Sequence, residues 1–153
     1  MLDVKQFRRL VIRPALEAIH LWSEGAEELV LGTALQESGL RYLEQIGGGP
    51  ALGLYQMEPA THDDVHLNFL SYHPELAERV KSLAVIPKPL SMVGNLWYAT
   101  AMCRLQYYRY PEPMPEAGNL SAQVAFWKLR YNTSEGKGTT ADYIANWRRV
   151  FPA

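Results

Sequence analysis

The chain lacks the features that mark several common protein classes. Cys103 is the one cysteine among 153 residues, so no disulfide can form within the chain and a disulfide-stapled scaffold is excluded. Cys103 lies among apolar neighbours and is predicted to be a core residue. The formal net charge at pH 7 is -1 and like charges do not cluster, which argues against nucleic acid or an acidic membrane surface as a partner.

Long apolar runs are also missing. No stretch approaches the ~20 apolar residues that are needed to cross a bilayer, so no integral membrane segment is expected. Residues 1–16 carry charged side chains from Asp3 to Arg13 instead of the unbroken apolar stretch of a secretion signal. We therefore expect the protein to be synthesised in the cytoplasm without a standard export signal.

Hydrophobic residues make up 48% of the chain, which is enough for one substantial core at this length. We predict a single domain over residues 1–153 and a mainly α fold. Apolar residues at helical spacing, prolines at helix starts and capping residues predict helical segments over 3–22, 25–37, 59–70, 74–83, 91–110, 119–131 and 139–150. The first is expected to bend or break at Pro14, and residues 46–57 are expected to form at most a small hairpin or an extended loop.

Glu37 falls in the last turn of a predicted buried helix, just before Gly39, which is a natural stop. A carboxylate at this end of a helix faces the negative end of the dipole, which disfavours its ionisation. Burial beside apolar side chains acts in the same direction. A carboxyl group that stays protonated near neutral pH is what cleavage of a glycosidic bond requires.

Four short stretches occur in a fixed order: QES at 36–38, GLYQ at 53–56 with PAT at 59–61, YN at 131–132, and Tyr143. Together they resemble the soluble lytic transglycosylases of the lysozyme superfamily. In that family a Glu-Ser pair ends a helix, Gly-Leu-Met-Gln and Pro-Ala-Thr segments follow, and an Ala-Tyr-Asn stretch precedes a helix that bears a Tyr. The match covers roughly residues 26–150, and the family's glycine-rich turn is retained as Gly136 and Gly138. Tyr55 stands where the family usually has Met, and Arg130 where it usually has Ala.

The resemblance implies a lysozyme-like α+β fold with a small hairpin or extended loop beside a cleft. It implies that Glu37 protonates the β-1,4 bond between N-acetylmuramic acid and N-acetylglucosamine, then removes the C6 hydroxyl proton to form a 1,6-anhydro product without a cofactor. Tyr143 is expected to hydrogen-bond Glu37, and Asn132 is expected to contact the N-acetyl group. The substrate-binding residues implied are Ser38, Tyr55, Gln56, Tyr131, Asn132 and Tyr143.

Three alternatives remain open. Glu58 lies where goose-type lysozymes carry an Asp, so it is a candidate second carboxylate for a hydrolase, which would need the two carboxyl groups ~6.5 to 9.5 Å apart. His62 and His66 are four apart on a predicted helix, but the third ligand of a zinc site is missing, so no metal is expected. A non-catalytic, glycan-binding virion component is the third alternative.

Bacteriophage cell-wall-degrading proteins are similar small domains without an export signal. The resemblance therefore implies peptidoglycan strands as the partner, other virion proteins as further candidate partners, and action in the periplasm or at the cell wall.

Overall fold

The structure is a computed structural model that describes residues 1–132 and 137–153. Gly136, which the sequence assigns to a glycine-rich turn, lies outside the described residues. The fold is mainly helical, as predicted. The described residues form nine α-helices: α1 (Val4–Phe7), α2 (Arg13–Ala18), α3 (Glu24–Glu37), α4 (Pro59–Asn68), α5 (Pro74–Lys81), α6 (Ser91–Gly94), α7 (Leu96–Tyr108), α8 (Leu120–Arg130) and α9 (Thr140–Val150).

The first helical segment continues through Pro14, where the sequence predicts a bend or break, and its irregular part lies just before that residue. A π-helical turn over Arg8–Ile12 joins α1 to α2, so that Pro14 stands in the first turn of α2, where a missing backbone N–H costs little. The segment ends at Ala18, earlier than predicted, because His20 adopts a left-handed backbone (φ 59°) that no longer continues the helix.

The predicted caps of the last two helices are confirmed. The Asn119 side chain accepts a hydrogen bond from the backbone of Ala122, which starts α8. Thr139 and Asp142 form a reciprocal capping box at the start of α9. At the other end of α3, Gly39 has φ 59° and follows the last helical residue by two positions, as the sequence predicts.

The prediction of one continuous helix over residues 91–110 is wrong. Asn95 has an extended backbone (φ -108°, ψ 96°), and its side chain accepts a hydrogen bond from Tyr98 N at 2.9 Å, which caps α7. Its amide nitrogen also donates to the carbonyl oxygen of Leu83 at 2.6 Å. Because Asn satisfies backbone groups better at a helix start than inside a helix, the chain breaks here into α6 and α7.

Helices α3 and α7 form the centre of the core. Every residue from Leu29 to Leu35 and from Tyr98 to Tyr107 is buried, which is the pattern of helices that are covered on all sides. Cys103 is a buried free thiol on α7, as predicted. Helices α7, α8 and α9 all pack against α3, and α8 and α9 reach its C-terminal end through hydrogen bonds from Trp127 to Glu37 and from Asn146 to Gln36.

Residues 44–57 form an extended loop with two isolated antiparallel bridges, Glu44 to Leu52 and Leu52 to Met57. The loop turns at Gly53, whose φ is 75° and whose N–H donates to the carbonyl oxygen of Leu43 at 2.7 Å. A Cβ atom at this position would lie 2.4 Å from the Met92 carbonyl oxygen. The turn therefore requires glycine for its backbone angle and for its contact with α6.

Within the described residues, no helix combines the length and the apolar character that crossing a bilayer would require.

Gly53→Ala is expected to lower the free energy of unfolding by more than about 2 kcal/mol, because it adds backbone strain and a clash with α6. Gly48→Ala is the matched control: its φ is 87°, but no atom lies within 4 Å of the added Cβ. The control should lose only about 1 kcal/mol, the cost of the backbone angle. Urea unfolding of both variants measures the difference, and equal losses would show that the contact with Met92 does not constrain the turn.

Candidate functional site

Glu37 ends α3 and is half-buried, so it does not project freely into solvent. Its Oε1 atom accepts a hydrogen bond from the indole N–H of Trp127 at 2.9 Å. Burial raises the pKa of Glu37 from 4.5 to about 7, although the Trp127 hydrogen bond acts to lower it. The carboxyl group is therefore present in both protonation states near neutral pH.

A second buried carboxyl group at the other end of α3 shows how much the surroundings matter. Glu27 is fully buried and accepts hydrogen bonds from Arg13 at 2.9 Å, from Trp22 at 2.6 Å and from Arg8. Burial alone would raise the pKa of Glu27, but these donors outweigh it and the pKa is lowered. Glu27 is an ionised anchor between α3 and the first helical segment, whereas Glu37 has no cationic partner among the described residues.

Trp127, the hydrogen-bond donor to Glu37, is a residue of the candidate site that the sequence analysis did not predict. It is buried on α8, and its ring lies 5.2 Å from the ring of Tyr143, measured between centroids. A signal for it exists in the sequence: Trp127 precedes Tyr131 by four residues on a predicted helix, and residues at this spacing share a face.

Tyr143 does not make the predicted hydrogen bond to Glu37. Its side chain is buried, and its hydroxyl has no hydrogen-bond partner among the described residues. The hydroxyl packs directly against Gly32, where a Cβ atom would lie 2.0 Å from the oxygen. Tyr143 therefore packs against Trp127 and against α3 at Gly32. The hydrogen bond to Glu37 that was predicted for Tyr143 is made by the Trp127 indole N–H instead.

Ser38 and Tyr131 both bind the backbone of the turn that contains Gly53. The Ser38 hydroxyl donates to the carbonyl oxygen of Leu54 at 2.6 Å, and the Tyr131 hydroxyl donates to the carbonyl oxygen of Tyr55 at 2.7 Å. The first and third stretches of the sequence pattern thus meet at the second. These two side chains fix the turn beside Glu37.

The two side chains of this turn have different surroundings. Tyr55 was expected to contact substrate, but it is buried and its hydroxyl shares a 2.7 Å hydrogen bond with Thr100 on α7. Tyr55 does not face the surface because its large aromatic ring fills a position in the core. Gln56 is partly exposed, with φ 48°, and its amide nitrogen donates to the carbonyl oxygen of Gly53 at 2.8 Å.

Asn132 lies close to Gln36, the residue before Glu37. Lys128 donates to the Asn132 Oδ1 atom at 2.8 Å and to the carbonyl oxygen of Gly138 at 2.9 Å. A Cβ atom on Gly138 would meet Gln36 Nε2 at 2.9 Å and Asn132 Nδ2 at 3.0 Å. The amides of Gln36 and Asn132 therefore converge at Gly138, beside the Trp127 ring.

Glu58 is exposed and stands at the N-cap of α4, where its side chain makes no capping hydrogen bond. Its carboxylate is open to solvent, in contrast to the half-buried carboxyl group of Glu37. The two acidic residues that are catalytic candidates from the sequence thus have different environments, since Glu37 is half-buried and Glu58 is exposed.

The His62 and His66 side chains both face the hydroxyl of Tyr98 and do not line an open position for a metal ion. Their Nε2 atoms lie 2.6 Å and 2.8 Å from that oxygen, and His62 Nδ1 lies 2.9 Å from an Asp63 carboxylate oxygen. Burial lowers the pKa of His66 and raises that of Tyr98. In the described part of the chain, no three His, Cys, Asp or Glu side chains are grouped to hold a metal ion.

A pocket opens in the loop that follows α3. It has a volume of 510 Å³ and is lined by residue 42 and residues 44–49; we call it the 42–49 pocket. Its first lining residue, Tyr42, lies five positions after Glu37 in the sequence.

Comparison of the chain with protein-family models, with curated proteins and with solved structures found no match. Its function must therefore be inferred from its own residues and their geometry.

Glu37→Gln is expected to stabilise the fold at pH 8 by roughly 1–3 kcal/mol, because glutamine removes a half-buried charge and keeps an oxygen that accepts from Trp127. The unfolded carboxyl group titrates near 4.5 and the folded one near 7. The folded state therefore holds the extra proton between these values, and wild-type stability falls as pH rises through this window. The advantage of the variant should grow from pH 5 through pH 7 and level off above about pH 8, where the folded carboxyl group has lost its proton.

Urea unfolding at pH 5 and pH 8 measures this difference. Glu58→Gln serves as the control, and as an exposed substitution it should change stability by less than about 0.5 kcal/mol at either pH. A Glu37→Gln variant with the same relative stability at both pH values would contradict the assigned environment of the carboxyl group.

Proposed function

We propose that this protein is a peptidoglycan lytic transglycosylase that cleaves the β-1,4 bond between N-acetylmuramic acid and N-acetylglucosamine. The observation that carries the proposal is the half-buried Glu37 carboxyl group, whose pKa of about 7 allows it to donate a proton and to accept one at the same pH. The order of the four sequence stretches, three of which meet at the end of α3, supports it.

The reaction needs one carboxyl group in two successive states. Protonated Glu37 gives its proton to the glycosidic oxygen as the bond from that oxygen to C1 of the muramic acid breaks. The C6 hydroxyl oxygen of the same sugar then bonds to C1, and its proton passes to the Glu37 carboxylate, which regenerates the acid. Water is not consumed, so no second carboxylate is required. The Trp127 N–H stabilises the carboxylate state between the two transfers.

The proposal includes a lysozyme-like arrangement, in which the extended loop over residues 44–57 takes the place of a hairpin beside the cleft. The partly exposed amides of Gln56 and Asn132 are the polar groups available to the sugar ring and its N-acetyl group. Tyr131 and Ser38 act through the backbone of the turn. Action at the bacterial cell wall, as a phage-type or virion-associated enzyme, forms part of the same proposal.

A hydrolase that uses Glu58 is the second candidate. The exposed position of Glu58 at the start of α4 favours it, because a carboxylate that activates water must be reachable by solvent. The two candidates give different products: the transglycosylase leaves 1,6-anhydro ends, and the hydrolase leaves reducing ends.

Purified peptidoglycan digested with wild type is expected to release fragments with 1,6-anhydro ends, detected by mass spectrometry. Glu37→Gln should lower the rate by about 100-fold or more, since its side chain cannot exchange the proton. Glu58→Gln is the matched control and should retain the wild-type rate and products. Reducing ends that disappear in Glu58→Gln would establish the hydrolase instead, and a wild-type protein without activity would leave only the non-catalytic, glycan-binding alternative.

Trp127→Phe is expected to shift the alkaline limb of the pH–rate profile to higher pH. The substitution removes the hydrogen bond that lowers the pKa of Glu37, so the acid form persists further into the alkaline range. Trp97→Phe is the control, because that indole donates to the carbonyl oxygen of Leu10 instead. An alkaline limb that stays in place, or moves to lower pH, would contradict the role given to Trp127.

A further inference from the structure

The 42–49 pocket is a concave surface of 510 Å³ in the loop that follows Glu37 along the chain. The lining combines an aromatic ring, a carboxylate, an amide and open glycine backbone. Gly47 and Gly48 both have positive φ, and nothing approaches within 4 Å of where their Cβ atoms would be. A ligand can therefore reach the backbone directly at these two residues.

Gln45 is held in place before any ligand arrives. Its backbone N–H donates to the carbonyl oxygen of Ala51, and its side-chain Oε1 accepts from Ala51 N, both at 3.1 Å. A Cβ atom on Gly49 would lie 2.2 Å from the Gln45 Nε2 atom, so the amide packs directly on the glycine. The Oε1 atom already accepts the hydrogen bond from Ala51, so the Nε2 group is the part of the amide that remains to bind a ligand, and it does so as a hydrogen-bond donor.

Tyr42 and Glu44 supply the rest of the recognition surface. Tyr42 is 45% exposed where it lines the pocket, so a ligand can reach its side chain. Glu44 lies two residues further along the loop and pairs with Leu52 through its backbone, which leaves its exposed carboxylate free of the bridge. An aromatic face beside a carboxylate and an amide suits a sugar ring, which has apolar C–H faces and hydroxyl groups at its edge.

The Glu44 carboxylate discriminates between the two sugars of a peptidoglycan strand. Free N-acetylmuramic acid carries a lactyl carboxylate, which Glu44 would repel, and in the strand that carboxyl group is joined to a peptide, so this sugar has no free O3 hydroxyl to donate to Glu44. N-acetylglucosamine is neutral, and its hydroxyl groups can donate to Glu44. The pocket chemistry therefore favours the neutral sugar of the repeat.

The pocket is tied to the turn beside Glu37. Tyr42 follows Glu37 by five positions, so their Cα atoms are at most about 18 Å apart, a distance that a short oligosaccharide can span. Gly53 N donates to the carbonyl oxygen of Leu43, and Ser38 donates to that of Leu54. The two bonds fix the pocket loop and the end of α3 to the same turn.

We propose that the 42–49 pocket is a binding subsite for an N-acetylglucosamine residue of the glycan strand, on the strand that is cleaved at Glu37. The assignment of the strand rests on the proposed function. Binding of the neutral sugar itself does not depend on catalysis and can be measured separately.

The test combines a binding measurement with a cleavage measurement. Calorimetric titration with tri-N-acetylchitotriose should give a Kd that rises by about tenfold or more in Tyr42→Ala, as expected for loss of an aromatic anchor. In peptidoglycan cleavage, the same variant should raise KM while kcat stays within about twofold, because its contact is equal in ground and transition states. Tyr72→Ala, which removes another exposed tyrosine outside the pocket, should leave both measurements unchanged.

A second variant tests the charge of the pocket. Glu44→Gln should bind free N-acetylmuramic acid at least about threefold more tightly than wild type does, since the repulsion between carboxylates is removed. An unchanged affinity for this sugar would contradict the selection of the neutral one.

The outcomes separate this inference from the proposed function. Cleavage that depends on Glu37, with the same Kd and KM in Tyr42→Ala as in wild type, would overturn the subsite and leave the transglycosylase proposal standing. Binding of the trisaccharide that depends on Tyr42, without cleavage of peptidoglycan, would support the subsite and reject the enzyme. A wild-type protein that does not bind the trisaccharide would overturn the subsite in either case.

Discussion

The rest of the structure depends on one constraint, which is that a carboxyl group must be kept partly out of water at the carbonyl end of a buried helix. Neither the helix dipole nor the surrounding apolar side chains favour its charged form. The Trp127 N–H is the donor that makes the charged form tolerable. Helices α7, α8 and α9 all pack against α3, so the helices that build the core also create the environment of Glu37.

The same helix shows that burial alone does not set the pKa of a carboxyl group. Glu27 has a lower exposed fraction than Glu37, yet its arginine and tryptophan donors lower its pKa, and the hydrogen bonds join α3 to the first helical segment. Within residues 1–132 and 137–153, Glu37 has one donor, the neutral Trp127 indole. Because the two groups differ in their partners and not in residue type, the opposite directions of their pKa shifts follow from the donors that neighbouring helices supply.

Apolar spacing and capping chemistry predicted the helices well, because both are local properties of the chain. They located the end of α3 at Glu37 and the start of α9 at Thr139. The predictions that failed concern contacts between segments far apart in the sequence, which override the local pattern. Asn95 breaks a long helical pattern because it can bond the carbonyl oxygen of Leu83, and Trp127 replaces Tyr143 beside Glu37 because of how α8 lies against α3. Such contacts between distant segments leave little trace in local sequence.

The hydroxyl of Tyr98 carries a single hydrogen, and this limits what its two histidine neighbours can do. The Asp63 carboxylate can only accept, so His62 Nδ1 donates to it. Tyr98 can give its one hydrogen to the Nε2 atom of only one ring, so the other ring must carry a hydrogen on Nε2 and donate it to the tyrosine oxygen. Helices α4 and α7 are thus joined by a directional chain of hydrogen bonds in which the two imidazoles take different roles.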